Sequence, residues 1–275
     1  MIPMIELTRH VRFCVSQASP APGSEPGRPA SAYAGWPGMI GVGAFYELEV
    51  TCRGEPDADT GYLMNISRID AAVQATAIPM IQEVFRRWPQ RDPGRVLEAV
   101  YRALEPALDP TLVAVGWWLS PYYSVAIEAQ AMDRVLISQQ FEFSAAHRLH
   151  SPALDDATNR QTFGKCNNPS GHGHNYRLEP VVSTPLNATD DPDVFNVRVL
   201  ERIVDETVIQ RFDHTHLNLD TDEFAQLNPT VEHIAKVCYD LLQPRIAEAG
   251  GRLERVRVWE TEKSSCTYPA DGHRP

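Results

Sequence analysis

The chain has 275 residues, of which 43% are hydrophobic and 22% are charged, a length that allows two compact domains. Its formal net charge of -11 argues against a nucleic-acid partner, because binding to a phosphate backbone requires clustered Lys and Arg. The apolar stretches are too short to cross a membrane, and five cysteines without framework spacing predict reduced thiols, as in a cytoplasmic protein.

Both halves of the chain predict the same order of elements: two strands, two helices and two strands. Alternating apolar residues indicate half-buried strands, and apolar residues three and four apart indicate helices. The first-half elements are predicted over residues 5–15, 45–52, 66–88, 94–108, 113–119 and 122–130. The second-half elements are predicted over residues 134–146, 172–183, 194–211, 231–249, 253–262 and 266–268. Segment 20–38, rich in Pro, Gly and Ala, is predicted to be an exposed loop.

Two sequence matches between the halves indicate an internal duplication. GVGAFYELE from Gly41 and GHGHNYRLE from Gly171 share both glycines, the tyrosine and the Leu-Glu pair. YRALEP from Tyr101 likewise matches YDLLQP from Tyr239. Because both matches occur in the same order, we predict an α+β protein of two tandem domains, residues 1–132 and 133–275. Each is expected to have an antiparallel sheet with two helices on one face.

Three histidines of the second half have the spacing of a metal site. His172 and His174 share one face of a predicted strand, since residues i and i+2 project the same way. His147 ends the preceding strand, so strand pairing can bring a third imidazole to that face. Three imidazoles with one open position are typical of catalytic zinc, although an isolated His-x-His pair is more often two solvated side chains.

The first half provides an internal control for these histidines. The corresponding residues there are Gln17, Val42 and Ala44. The fold therefore does not require histidine at these positions, which favours metal binding in the second half.

Cys166 is a candidate general base. It lies six positions before His172, in a loop whose Gly, Asn and Pro content suits a tight turn towards the histidines. Lys165 and a nearby cation would favour its thiolate. The alternative is the commonest state of a single cysteine, a small buried apolar side chain.

Two acidic residues extend the candidate site. Asp213 precedes His214, and a carboxylate beside an imidazole can orient a proton-transfer group, although Asp there could instead cap a helix. Glu260 lies in an apolar strand, where a carboxylate is costly unless it pairs with a ligand or a cation, or faces solvent. Its first-half counterpart is Leu119, which favours a function confined to the second half.

Five motifs of the second half resemble the 6-pyruvoyltetrahydropterin synthase and 6-carboxytetrahydropterin synthase family. In chain order they are FSAAHRL from Phe143, GKCNNPSGHGHNY from Gly164, Asp213-His214, PTVE from Pro229 and WET from Trp259. The resemblance spans about residues 134–268. It implies a tunnelling fold (T-fold) in both halves, the first being a degenerate copy that lacks the metal site.

The resemblance implies a zinc-dependent lyase acting on 7,8-dihydroneopterin triphosphate. Loss of triphosphate would yield a 6-carboxy- or a 6-pyruvoyl-tetrahydropterin, and no redox cofactor is implied. Five residues separate Cys166 from His172, a spacing similar to that of pyruvoyl-forming enzymes, but some bacterial carboxy-forming chains share it, so both products stay open. The implied zinc ligands are His147, His172 and His174.

The resemblance also implies roles for the polar residues around the metal. Cys166 would accept a proton, and His214, supported by Asp213 and Glu260, would complete the proton relay. Glu260 would also bind the pterin ring. Thr230 and Glu232 are further substrate-binding candidates.

Family members associate into barrels, so the resemblance implies a homo-oligomer, specifically a trimer of two-domain chains. The implied partner is the small-molecule pterin triphosphate, without nucleic acid or membrane. Two alternatives stay open: a non-catalytic T-fold module that binds pterin or zinc, and a metal-dependent hydrolase with three histidine ligands. Cys166 and His214 favour the lyase over the module. Cys166, with the absence of an acidic residue adjoining His172 or His174, favours it over the hydrolase.

Overall fold

The computed structural model describes residues 4–17, 33, 35–39, 41–186 and 194–270. The chain divides into two compact units, one comprising Met1–Leu136 with Pro185–Asp191 and the other Ile137–Thr184 with Pro192–Arg274. The boundary predicted between residues 132 and 133 lies just before the strand β5 (Arg134–Gln139), within which the units divide. Most of segment 20–38, the predicted loop, lies outside the described residues.

The first unit contains the predicted order of strands and helices. Its elements are β1 (Ile5–Ser16), β2 (Gly43–Gly54), α1 (Ile66–Ala72), α2 (Ile78–Arg87), α3 (Pro93–Leu108), β3 (Leu112–Ser120) and β4 (Tyr123–Glu128). The strands pair antiparallel in chain order, α2 packs on β1, and α3 packs on β3 and β4. Large side chains buried in this unit include Phe13, Leu48, Ile69, Ile81, Leu97, Leu104, Leu108 and Ile127.

The first predicted helix, over residues 66–88, is not uniform. A π-helical turn, Val73–Ala77, separates α1 from α2. Pro79, at the start of α2, has no N–H to donate to the carbonyl four residues earlier, so a regular α-helical bond cannot form there. A proline in the helical pattern therefore marks the change of geometry.

The second unit follows the same order with additional short elements. After β5 come β6 (Phe141–His147), α4 (Asp156–Phe163), β7 (His172–Pro185), α5 (Val197–Val204), α6 (Gln210–Phe212), β8 (Thr215–His216), α7 (Leu217–Asp220), α8 (Val231–Glu248), β9 (Arg252–Thr261) and β10 (Ser264–Tyr268). Strands β6, β7, β9 and β10 are neighbours in an antiparallel sheet, and β8 joins β6 in parallel. Helix α8 packs on β9 and β10.

The structure corrects two sequence predictions in this unit. The strand predicted over residues 134–146 is two strands, β5 and β6, separated at Gln140. Helix α4 was not predicted, because its sequence DATNRQTF lacks an apolar stripe. It is stabilised instead by Asp155, which caps Thr158 N, and by buried Asn159, which donates to the Ser151 carbonyl.

Among the described residues, no helix is long and apolar enough to cross a membrane.

Candidate metal centre and surrounding site

Strand pairing brings the three predicted histidine ligands together. His147 ends β6 directly opposite His172, the first residue of β7, and His174 lies two positions further along β7. One ring nitrogen from each lies within 4.8 Å of those of the other two. His147 is fully buried, whereas His172 and His174 are half-buried. The three imidazoles can therefore reach one ion.

The hydrogen bonds of His147 fix which nitrogen can bind a metal. Its Nδ1 lies 2.7 Å from the Pro229 carbonyl oxygen, which only accepts, so Nδ1 carries the proton. The unprotonated Nε2 then lies 3.1 Å from His172 Nε2. Burial, opposed by the Pro229 bond and reinforced by the neighbouring histidines, lowers the pKa of His147 to about 4. The ring is therefore neutral near pH 7, as a metal ligand must be.

The unsatisfied nitrogens of the cluster fit a bound divalent cation. Among the described residues, His174 Nε2 and His172 Nδ1 are buried without a hydrogen-bond partner. Buried polar groups rarely stay unpaired, and a cation between the rings would satisfy His174 Nε2 and separate the lone pairs of His147 and His172. Three imidazole nitrogen donors suit zinc better than a hard cation such as Mg²⁺.

Glu260 lies beside the histidine cluster. Its Oε1 is 3.5 Å from His147 Nε2 and 3.8 Å from His174 Nε2. The carboxylate is mostly buried, with 20% of the side chain exposed. Its position near the end of β9, next to β7, explains this placement, since β9 and β7 are paired. The predicted acidic residue therefore lies where it can accept protons or hydrogen bonds from a ligand of the metal.

Tyr176 packs against the histidine cluster. It follows His174 on the same face of β7, is fully buried, and places its hydroxyl 3.3 Å from His147 Nδ1. Burial, with smaller contributions from Glu260 and Cys166, raises the pKa of the Tyr176 hydroxyl. Tyr176 therefore lines the buried side of the histidine cluster.

Cys166 belongs to a short 3-10 turn, Gly164–Asn167, that follows α4. Its carbonyl accepts from Leu149 N at 2.9 Å, which holds the turn against the segment just after β6. The thiol is half-buried and free. A half-buried thiol in this loop is accessible to a substrate, unlike the fully buried Cys238.

Asp213 and His214 form a pair at the end of α6. Asp213 Oδ2 lies 2.8 Å from His214 Nδ1, and its Oδ1 accepts from Ser144 N at 2.7 Å. The Ser144 N–H and, to a lesser degree, His214 lower the pKa of Asp213. His214 has a left-handed backbone (φ 59), and 83% of its side chain is exposed. Such a backbone is uncommon outside glycine, and it presents the imidazole to solvent.

His214 and His174 line one open pocket of about 550 Å³. Ser144, Thr215 and His216 contribute to the same walls. Cys166 is not among the residues that line it. The structure therefore joins His214 to the histidine cluster through this pocket, but it shows no described contact between His214 and Cys166.

Thr230 and Glu232 lie at the amino end of α8. Thr230 caps the helix by accepting from His233 N at 3.4 Å. The backbone N–H of Glu232 and the Thr230 hydroxyl lower the pKa of Glu232, whose side chain is exposed. Pro229, which immediately precedes them, is the partner of His147. Both predicted substrate-binding residues thus closely follow in sequence the residue whose carbonyl accepts from His147.

Comparison with known proteins identifies the family. The model of the 6-pyruvoyl tetrahydropterin synthase family matches residues 136–271. Human 6-pyruvoyl tetrahydrobiopterin synthase is 36% identical over 135 residues, which cover 49% of this chain and 91% of the human protein. The chain belongs to the 6-pyruvoyl tetrahydropterin synthase family.

Other members show the same extent of similarity. The 6-carboxy-5,6,7,8-tetrahydropterin synthase of Aquifex aeolicus is 30% identical over 157 residues, covering 48% of this chain and 96% of that protein. A solved structure of Caenorhabditis elegans 6-pyruvoyl tetrahydropterin synthase is 34% identical, with a TM-score of 0.46, and covers 49% of this chain and 94% of that one. The family match leaves residues 1–135 outside it.

In this family member, sequence reasoning missed Tyr176 and His216. Tyr176 continues the alternation of His172 and His174 along β7, so strand periodicity could have found it. His216 pairs with Ala146 across β8 and β6, and its Nδ1 is buried without a partner among the described residues. No local pattern marks His216, because its position depends on the pairing of distant segments.

Proposed function

We propose that the chain is a zinc-dependent lyase that converts 7,8-dihydroneopterin triphosphate into a 6-substituted tetrahydropterin with loss of triphosphate. The main observation behind this proposal is the convergence of three imidazoles beside Glu260 in a member of this family. The Cys166 loop supplies a half-buried thiol that can act as the base for proton transfer at carbon. The C–O bond to triphosphate breaks, and the ring is reduced by internal tautomerisation, so no external reductant is needed.

We assign the metal to His147, His172 and His174. When bound, zinc would act as a Lewis acid that polarises the substrate's side-chain oxygens and acidifies their neighbouring C–H groups. The Pro229 carbonyl keeps His147 in the tautomer that such binding needs. Tyr176, beside the same ring, limits its rotation.

The proton transfers are assigned to the side chains around the cluster. Cys166 accepts a proton from the substrate as its thiolate, and the Asp213–His214 pair returns or relays protons at the pocket shared with His174. Asp213 stays ionised because the Ser144 N–H holds its pKa low, so it can stabilise a charged His214. Glu260 accepts hydrogen bonds from the substrate near the metal.

Pterin recognition is assigned to Glu260, with Thr230 and Glu232 as further substrate-binding residues. A carboxylate can accept two donors from the guanidine-like edge of the ring. Glu232 is exposed and ionised at the amino end of α8, whereas Glu260 lies within 3.5 Å of His147. Glu260 is therefore the principal candidate for binding the ring beside the metal, and Glu232 is a further substrate-binding candidate.

The product is proposed to be 6-pyruvoyl-tetrahydropterin, with 6-carboxy-tetrahydropterin, whose formation also releases acetaldehyde, as the alternative. Human and Drosophila melanogaster proteins named for the pyruvoyl product are each 36% identical to this chain, against 30% for the Aquifex aeolicus protein named for the carboxy product. Mass spectrometry of the pterin formed from the triphosphate substrate by the zinc-loaded protein decides between them. The matched control is His172→Ala. Pterin binding without release of triphosphate would instead identify a non-catalytic module.

We further propose that the first unit is a degenerate second copy of the T-fold. The strand register supports this, because Val15 pairs with Ala44 as Ala145 pairs with His174, at the positions aligned from sequence. Each unit also has a π-helical turn: Val73–Ala77 directly follows α1, and Asp205–Ile209 directly follows α5.

A tyrosine contact supports the same duplication. Tyr101 donates to the Leu112 carbonyl at 3.1 Å, and Tyr239 donates to the Leu253 carbonyl at 3.4 Å. In each unit the acceptor lies at the start of the strand that follows the helix. Expression of residues 133–275 alone would test whether the second unit is an independent domain. The separate segment should then fold and bind zinc.

The proposed assembly is a homotrimer of two-domain chains, in which the first units act as structural partners. It follows from the family and from the duplication proposed above. Light scattering should give a mass of about three chains. A stable monomer would contradict it.

A further inference from the structure

Arg148 is a half-buried cation that pairs with no carboxylate of the residues that the structure describes. Its Nε donates to the Asn167 carbonyl at 3.3 Å, and one terminal nitrogen donates to Asn167 Oδ1 at 3.1 Å. Both acceptors are neutral. Within the described ranges, no Asp or Glu forms an ion pair with Arg148, and its other terminal nitrogen has no acceptor. A fixed guanidinium in this state can bind an external anion.

His150 presents a second donor next to Arg148. Its Nδ1 faces two donors, Asn167 Nδ2 at 3.1 Å and the Arg148 guanidinium at 3.4 Å, so Nδ1 is the acceptor. The proton of a neutral ring then lies on Nε2. No acceptor for Nε2 is found in the part of the chain that the structure describes. Asn167 thus contacts both Arg148 and His150. One terminal nitrogen of Arg148 and Nε2 of His150 are left as donors without an acceptor among the described residues.

Two consecutive residues place this pair beside the metal cluster. Asn228 Oδ1 accepts from His150 N at 3.1 Å, and the next residue, Pro229, accepts from the ring of His147 at 2.7 Å. The residue between Arg148 and His150 donates its N–H to the Cys166 carbonyl at 2.9 Å. The unpaired donors therefore adjoin both the proposed metal ligand and the proposed base.

We propose that Arg148 and His150 form the subsite that binds the triphosphate of the substrate. The identity of the substrate rests on the proposed function. The group that this subsite would bind is a linear polyphosphate. In a chain with net charge -11, attraction of a polyanion requires a local cation that is not neutralised by the protein's own carboxylates. Lys165, exposed beside Cys166 and without a carboxylate partner among the described residues, adds a second charge to the same loop.

The direct test uses inorganic tripolyphosphate as the probe, bound to the zinc-loaded full chain and followed by isothermal titration. Tripolyphosphate should bind, and Arg148→Gln should weaken its binding by on the order of tenfold or more, the loss expected for charge-assisted hydrogen bonds. Arg148→Lys should be intermediate, since lysine keeps the charge but not the planar fork. The matched control is Arg252→Gln, which removes a guanidinium already paired with Glu254.

Binding of neopterin, which has no phosphate, should be unchanged in all variants, and this measurement reports that the site is folded. Zinc content is measured after each titration, because polyphosphates also bind divalent cations. If Arg148→Gln disrupts folding, His150→Ala is used, with a several-fold weaker binding of tripolyphosphate expected. Tripolyphosphate affinity equal to that of the parent protein in the folded variant would overturn the subsite.

The outcomes separate this inference from the proposed function. Tripolyphosphate binding that depends on Arg148, without turnover of the pterin triphosphate, would refute the lyase and leave the anion subsite. Turnover combined with binding insensitive to Arg148 and His150 would refute the subsite alone.

Discussion

His147 donates from Nδ1 to the Pro229 carbonyl across 2.7 Å, and this bond leaves its Nε2 facing His172 at 3.1 Å. Removing one of the three nitrogens should therefore remove the metal. We expect His172→Ala to lose bound zinc and activity together, as measured by elemental analysis and triphosphate release. His10→Ala, at an exposed histidine paired with Glu47, is the control and should keep both. Full zinc occupancy in His172→Ala would contradict the ligand assignment.

Cys166→Ala should keep zinc and lose turnover, because the thiol is assigned to proton transfer and not to the metal. The rate of triphosphate release should fall by about 10²–10⁴-fold, the usual contribution of a general acid or base. Cys266→Ala serves as the control, since Cys266 is likewise half-buried and free. If Cys166→Ala keeps its activity and Cys266→Ala is also active, Cys166 is not the general base.

Glu260→Gln should lower kcat while leaving zinc in place. The amide keeps the shape of the side chain but cannot accept a proton near His147, from which Glu260 lies 3.5 Å. The comparison is Glu262→Gln, on an exposed residue paired with Arg177, which should behave as the parent protein. Steady-state kinetics and zinc analysis of the two variants check the prediction, and equal kcat values would show that Glu260 is dispensable.

Asp213→Asn should reduce kcat and lower the stability near pH 7, since the amide oxygen can still accept from Ser144 N but carries no charge. The native pKa of Asp213 is lowered, so its ionised form stabilises the fold above the pKa of the unfolded chain. That contribution is lost as the pH falls below about 4, where the unfolded chain binds the proton more readily. Chemical unfolding of the parent and Asp213→Asn from pH 7 to 3 should show a steeper loss for the parent. Parallel curves would contradict the assignment.

Gly171→Ala should destabilise the second unit more than Gly250→Ala. Gly171 has φ 72, and a Cβ there would lie 2.6 Å from His216 Nε2 and 3.0 Å from the His147 carbonyl oxygen. Gly250 has φ 88 but nothing within 4 Å, so its substitution costs only backbone strain, about 1–2 kcal/mol. Denaturant unfolding should show a larger loss of unfolding free energy for Gly171→Ala. Equal losses would mean that His216 moves aside freely.

Local sequence patterns predicted the strands and helices around the site, because the spacing of apolar residues that defines each element lies within a few consecutive positions. Strand periodicity of two placed His172 and His174 on one face, and the structure confirms it. The same reasoning failed for α4, whose stability comes from Asp155 and buried Asn159 and not from an apolar stripe. Polar networks of this kind leave little trace in hydropathy.

The sequence by itself determined the convergence of three histidines on neighbouring strands, the order of elements in both halves and the family. These follow from side-chain alternation along β6 and β7 and from motifs held within short stretches. Only the tertiary structure decided which nitrogen of His147 faces its partners, because Pro229 is 82 positions away in the chain. It likewise decided that no carboxylate of the described residues pairs with Arg148, since the neighbours of a charge are set by folding and not by sequence distance.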